Sequence, residues 1–137
     1  MPSRTIRPKG ETGLAWITLI LSIPYLIGET YHYFAYVGFG NYFLGYFCDL
    51  ITIALMWLGS VTSLRMRDRS ASGWLAGAWG FAACLAYRAF TWQYEAVQQG
   101  ESTGAEPSFT VWIIAGMGVI SFTAFAYALY LARPRSD

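Results

Sequence analysis

Residues Gly73–Val97 read GWLAGAWGFAACLAYRAFTWQYEAV. The stretch is long and apolar enough to cross a bilayer, whose hydrocarbon core of ~30 Å takes about 20 helical residues. It carries Arg88 well inside, whereas every other Lys or Arg lies outside an apolar run: Arg4, Arg7, Lys9, Arg65, Arg67, Arg69, Arg133 and Arg135. An arginine at that depth is costly unless it is paired. Reading the stretch as a membrane span therefore makes Arg88 a candidate functional residue, with Asp49 and Glu29 as its expected partners.

Three more apolar runs flank it. Leu14–Tyr33, Tyr42–Leu64 and Ser108–Leu131 are each of spanning length, so the expectation is a single domain over residues 1–137. Its fold class is all-α: an integral membrane bundle of four antiparallel transmembrane helices, with spans at about 14–33, 42–64, 73–97 and 108–131. The first run is longer than the core of a signal peptide and no small-residue cleavage pattern follows it, which marks it as a retained span. Pro24 removes one backbone donor within it and is expected to kink it. Ser70 or Ser72 is placed to cap the third span and Ser108 the fourth. Every loop arginine and lysine falls in the N-terminal tail, the Arg65–Arg69 loop or the C-terminal tail. By the positive-inside rule both termini are then cytoplasmic, in a multi-pass protein of the cell membrane.

Composition agrees. The 137 residues are 55% hydrophobic and 12% charged, about half the charge usual in soluble domains, and 18% aromatic. A net charge of +1 without a basic stripe argues against a nucleic-acid partner. Cys48 and Cys84 form no CxxC and read as small core residues. Trp57 and Trp79, deep in their spans, read as packing.

Depth and periodicity bring the charges together. Glu29, Asp49 and Arg88 each fall a few residues to the outer side of their span's midpoint, roughly 5–8 Å at 1.5 Å per residue. The cytoplasmic half of the bundle is expected to hold no charge. On the first span Ser22, Tyr25, Glu29 and His32 share a face; on the second Asp49, Thr52, Met56, Ser60 and Ser63 do. On the third, Ala76, Gly80, Cys84 and Arg88 recur every four residues as a small-residue stripe, continued by Trp92 and Glu95. The fourth span is a wall, with only Ser121 and Thr123 as polar groups.

A single Arg–carboxylate pair would serve helix packing alone. Two carboxylates at the arginine's depth, with His32 further out near the outer mouth, exceed that need and point to chemistry. The expected reading is an enzyme whose catalytic groups are Glu29, Asp49 and Arg88, with Tyr25, His32, Trp92, Tyr94 and Glu95 lining the substrate site. Asp49 paired to Arg88 is the base, and Glu29 against an apolar shelf the general acid, with the roles exchangeable. An aromatic lining suits a small lipophilic, isoprenoid-like substrate and a cationic intermediate, hence isomerisation, cyclisation or epoxide opening. No cofactor is needed. No metal is expected, because Glu29-x-x-His32 occurs once where a carboxylate-bridged bundle needs the motif twice. P-loop, GxGxxG, GxSxG and HExxH motifs are absent.

Two other readings compete. Intramembrane carboxylates also mark proton-linked transporters and channels, for which four spans require a homo-oligomer. Small aromatic-rich bundles also serve as accessory subunits of larger complexes. The tyrosines at 31, 33, 36, 42 and 46 read as an interfacial belt, or more sharply as a lid hinged at Gly38 and Gly40.

Overall fold

A computed structural model describes residues 7–37, 43–66, 70–100 and 107–133. Within them the chain forms four helices: α1 Glu11–His32, α2 Phe43–Arg65, α3 Ser72–Gln98 and α4 Pro107–Ala132. Gly38, Gly40 and Tyr42, and with them the expected hinges of a lid, lie outside the described residues, as do Arg67 and Arg69. Segments Glu11–Ala35, Phe43–Arg65 and Thr110–Ala132 are long and apolar enough to cross a membrane. The chain is thus an all-helical protein of membrane type. α3 is the longest helix, at 27 residues, but falls short of that apolarity. Its glycines, glutamines, Arg88 and Glu95 lower its mean hydropathy.

The ends of the helices differ from the sequence expectation in three places. α1 begins at Glu11, inside what reads as a polar tail, and runs unbroken through Pro24. After His32 the backbone does not become a loop; it widens into a π-helical turn over Tyr33–Val37. There Tyr33 stacks on Tyr46 of α2 with ring centroids 4.5 Å apart, and burial of that aromatic pair favours continued winding. The N-cap of α3 is Ala71, with no side-chain cap, because the hydroxyls of Ser70 and Ser72 both turn to Glu11. Gly100, at φ +72°, ends α3 in the left-handed conformation that glycine adopts without strain.

Neighbours in sequence are neighbours in space. α1 packs on α2, α2 on α3 and α3 on α4, while α1 touches α3 and α4 only slightly. Along α1 and α2, contacts pair rising with falling numbers: Glu11 with Ser63, Ser22 with Trp57, Tyr25 with Asp49, Thr30 with Tyr46. The first half of α3 is the hub of the core. Leu75 and Ala76 meet Leu14 and Ala15 of α1 and Ala128 and Leu131 of α4. Ala78, Trp79 and Ala82 meet Met56 of α2.

Gly59 and Gly80 sit at close helix–helix contacts, as Gly10 does against the Tyr127 hydroxyl. A Cβ on Gly59 would lie 3.1 Å from the Trp74 carbonyl oxygen, and one on Gly80 would lie 3.0 Å from the Phe125 ring. Backbone yields less than a ring edge does, so Gly59→Ala is expected to cost about 1–3 kcal/mol by overpacking. Gly45→Ala, in the same helix with open space around it, should be neutral or mildly stabilising. Thermal midpoints in mild detergent compare the two. Equal midpoints would show that α2 and α3 do not depend on this contact.

Candidate functional site

The seam between α1 and α2 carries polar side chains along its whole length, and carboxylates stand at both of its ends. Spacings of three and four residues put Thr18, Ser22, Tyr25 and Glu29 of α1 on the inward stripe, opposite Asp49, Thr52, Ser60 and Ser63 of α2. Thr52, Ser60 and Ser63 are fully buried, and Asp49 is half-buried.

The first cluster lies where α1 ends and α2 begins. The Tyr25 hydroxyl donates to Asp49 Oδ1 at 2.8 Å, with the Thr52 hydroxyl beside it. Glu29 is half-buried and within electrostatic reach of Asp49, as is the exposed His32. One turn further out, Thr30 and Tyr46 share a hydrogen bond of 2.9 Å. Tyr25, Glu29 and His32, expected on one face of α1, and Asp49 and Thr52, expected on one face of α2, therefore fall at one end of the same helix pair.

Arg88 does not join them. It lies exposed on α3, and among the described residues no ion pair links it to Glu29 or Asp49. Asp49 takes its hydrogen bond from a tyrosine instead of an arginine. The reason is the drift of a four-residue repeat: each step of four turns 40° beyond a full circle, so a stripe from Ala76 to Arg88 rotates by about 120°. Ala76 is buried and Gly80 packs on Phe125, whereas Cys84 and Arg88 have rotated out of the core. Trp92, Tyr94 and Glu95 are also exposed on α3 and do not line the α1/α2 cluster. Cys84 is accordingly no core residue, and Cys48 is only half-buried. Trp79 is buried as expected, but Trp57 stays 42% exposed while its indole N–H reaches Ser22 at 2.6 Å.

The second cluster, at the opposite end of the seam, escaped the sequence reading. Glu11 is fully buried. Its Oε1 accepts from Ser63 Oγ at 2.7 Å and from the Ala71 backbone N–H at 2.9 Å. Its Oε2 accepts from Ser70 Oγ at 2.8 Å and Ser72 Oγ at 2.6 Å. Arg7, one turn earlier, places Nε 3.8 Å from Oε1 and donates to the Ser63 carbonyl at 2.8 Å. The expectation of a charge-free half is therefore overturned, because α1 starts early enough to draw Glu11 in. The clue in the sequence was Ser70-Ala71-Ser72, a run rich in short donors after a basic loop.

Between the clusters the seam is closed. Thr18 Oγ1 donates to its own helix at Leu14 and accepts the Trp79 indole N–H at 2.8 Å. Ser22 Oγ donates to Leu19 and accepts from Trp57. An indole N–H donates only, so neither tryptophan hands a proton onward. No set of three His, Cys, Asp or Glu among the described residues is arranged to hold a metal ion. Compared with protein-family models, curated proteins and solved structures, the chain matches none.

Proposed function

We propose that this chain is a membrane-embedded enzyme performing cofactor-independent acid–base chemistry on a small lipophilic, isoprenoid-like molecule. Its frame is four antiparallel spans, α3 included, with both termini cytoplasmic in the cell membrane. The opposed numbering of the contacts and the arginine-bearing even-numbered loop and tails support that frame. The observation that carries the reading is the Tyr25–Asp49 hydrogen bond with a second carboxylate, Glu29, within electrostatic reach. A structural seam needs no second carboxylate there.

In this reading Glu29 delivers a proton to an alkene carbon or an epoxide oxygen. Asp49, oriented by Tyr25, removes one from a neighbouring carbon, or takes one from the attacking hydroxyl. The substrate gains one proton and loses one, and a transfer from Asp49 back to Glu29 resets the pair. Phe43, Phe47 and Tyr31 are exposed at the same end of the helix pair and suit an apolar molecule arriving from the bilayer.

Native mass spectrometry in mild detergent, followed by incubation of the extracted compound with fresh protein, tests this. The expected result is a co-purified lipophilic mass that the protein converts to a chromatographically distinct product. Bare protein that moves protons across liposomes would replace this reading with the second one, a small proton-linked transporter. The specific support for transport is Glu11, a carboxylate at the far end of the same seam. The closed hydroxyl–tryptophan section between the ends weighs against it.

A further inference from the structure

We propose that two rings of exposed aromatic side chains mark where this chain meets the two polar boundaries of a bilayer, and that the Tyr25–Asp49–Glu29 cluster works just beneath the outer boundary, on the polar-head end of a lipid. The statement about the lipid rests on the enzyme reading above; the depth does not.

Contacts between helices fix which residues share a level. Ser72 meets Glu11 and Trp79 meets Thr18, each pair 61 positions apart, so α1 and α3 run in the same direction in one constant register. α4 runs the other way, with Gly80 against Phe125 and Ala86 against Gly118. That register sorts the exposed tryptophans and tyrosines into two levels. Tyr31, Trp92 and Trp112 stand together, with Tyr94 about 3 Å beyond them. Trp74 and Tyr130 stand together at the other end, with Trp16 and Tyr127 about one turn further in. Only Trp57 and Tyr87 of the exposed set, among the described residues, fall between, and the Trp57 indole N–H is already taken by Ser22.

From Trp74 to Trp92 the rise is about 27 Å at 1.5 Å per residue. A bilayer has a hydrocarbon core of ~30 Å, with tryptophan and tyrosine gathered at its edges. Between the rings the large exposed side chains of α1 and α4 are apolar, among them Ile20, Ile23 and Ile27, and Met117, Val119 and Ile120. The rings also account for Arg88. It lies about 6 Å inside the outer ring, so its long side chain reaches the headgroups by snorkelling and needs no carboxylate in the bundle. Glu29 is level with Phe90, about 3 Å inside that ring, and Tyr25, which holds Asp49, is level with Ala86, about 9 Å inside. A lipid keeps its polar head at this boundary and its first carbons beneath it. The bonds within reach of the two carboxylates are therefore those next to the head.

Spin labels on the protein in liposomes measure the depths, as the ratio of collisions with oxygen to collisions with a water-soluble nickel chelate. Exposed Cys84 is labelled in the Cys48→Ser chain; Ile23→Cys, Ile120→Cys, Gly28→Cys, Tyr31→Cys and Trp112→Cys are labelled in the chain lacking both native cysteines. Ile23, Cys84 and Ile120 share the level midway between the rings and should give one common, highest ratio. Tyr31 and Trp112 should give ratios several-fold lower, and Gly28, beside Glu29, a value closer to theirs than to the maximum. A lower ratio at Cys84 than at Ile23 and Ile120 overturns the rings by showing that α3 does not cross, and a maximum at Gly28 overturns the boundary position of the cluster. The compound extracted for the turnover assay should carry a hydroxyl or phosphate, with the altered bond near that head. Conversion of a hydrocarbon without a polar head overturns the substrate class and leaves the depths intact. Absence of any conversion, with the depths as expected, is the failure of the enzyme reading itself and takes the substrate class with it.

Discussion

Glu11→Ala is expected to lower stability by ~3–5 kcal/mol, the scale for removing one partner from a buried charged network. Three serine hydroxyls, the Ala71 N–H and Arg7 converge on this one carboxylate, which is shielded completely from solvent. Alanine removes the acceptor and leaves these donors stranded at the junction of three chain segments. For a chain of this size the loss corresponds to a fall in thermal midpoint of roughly 10–17 °C. Glu11→Gln keeps the shape and one acceptor oxygen, and the serine hydroxyls can rotate to accept from its amide. About half of the loss should therefore remain. Midpoints in mild detergent for the two variants check this. An alanine variant as stable as the native chain would mean that the cluster forms without contributing to the fold.

The second large effect is on turnover. Asp49→Asn retains an acceptor for the Tyr25 hydroxyl at 2.8 Å and so retains the local geometry, but the amide cannot take a proton. Conversion of the co-purified lipophile should fall by about 10²–10⁴, the usual contribution of a positioned general base. Tyr25→Phe keeps the carboxylate and loses only its orienting donor, so a smaller loss is expected there. Glu29→Gln should match Asp49→Asn in size. If Asp49→Asn and Glu29→Gln both keep full turnover with unchanged thermal midpoints, the cluster is not the site of chemistry.

Much of this arrangement was legible in the order of residues. The faces of α1 and α2 follow from short polar residues at three- and four-residue spacing, and that register is what brings Tyr25, Glu29, Asp49 and Thr52 into one cluster. Periodicity failed on α3 because a strict four-residue repeat drifts around the helix, and alanines and glycines leave several faces equally able to pack. Depth along a span says nothing of azimuth, so an arginine expected at the level of the carboxylates need not share their side. Glu11 was hidden for a different reason. Its hydrogen-bond donors lie 52 to 61 positions away, and no local pattern announces a contact of that range.

That same separation has a consequence during synthesis. α1 emerges from the ribosome before Ser63, Ser70 and Ser72 do. At about 5–20 residues per second, some 60 residues take roughly 3–12 s to appear. Through that interval the Glu11 carboxylate lacks the four donors that hold it in the folded chain, and water is its best solvent. Folding of this chain is therefore expected to finish where it began: the N-terminal end of α1 gains its partners only when the turn into α3 arrives.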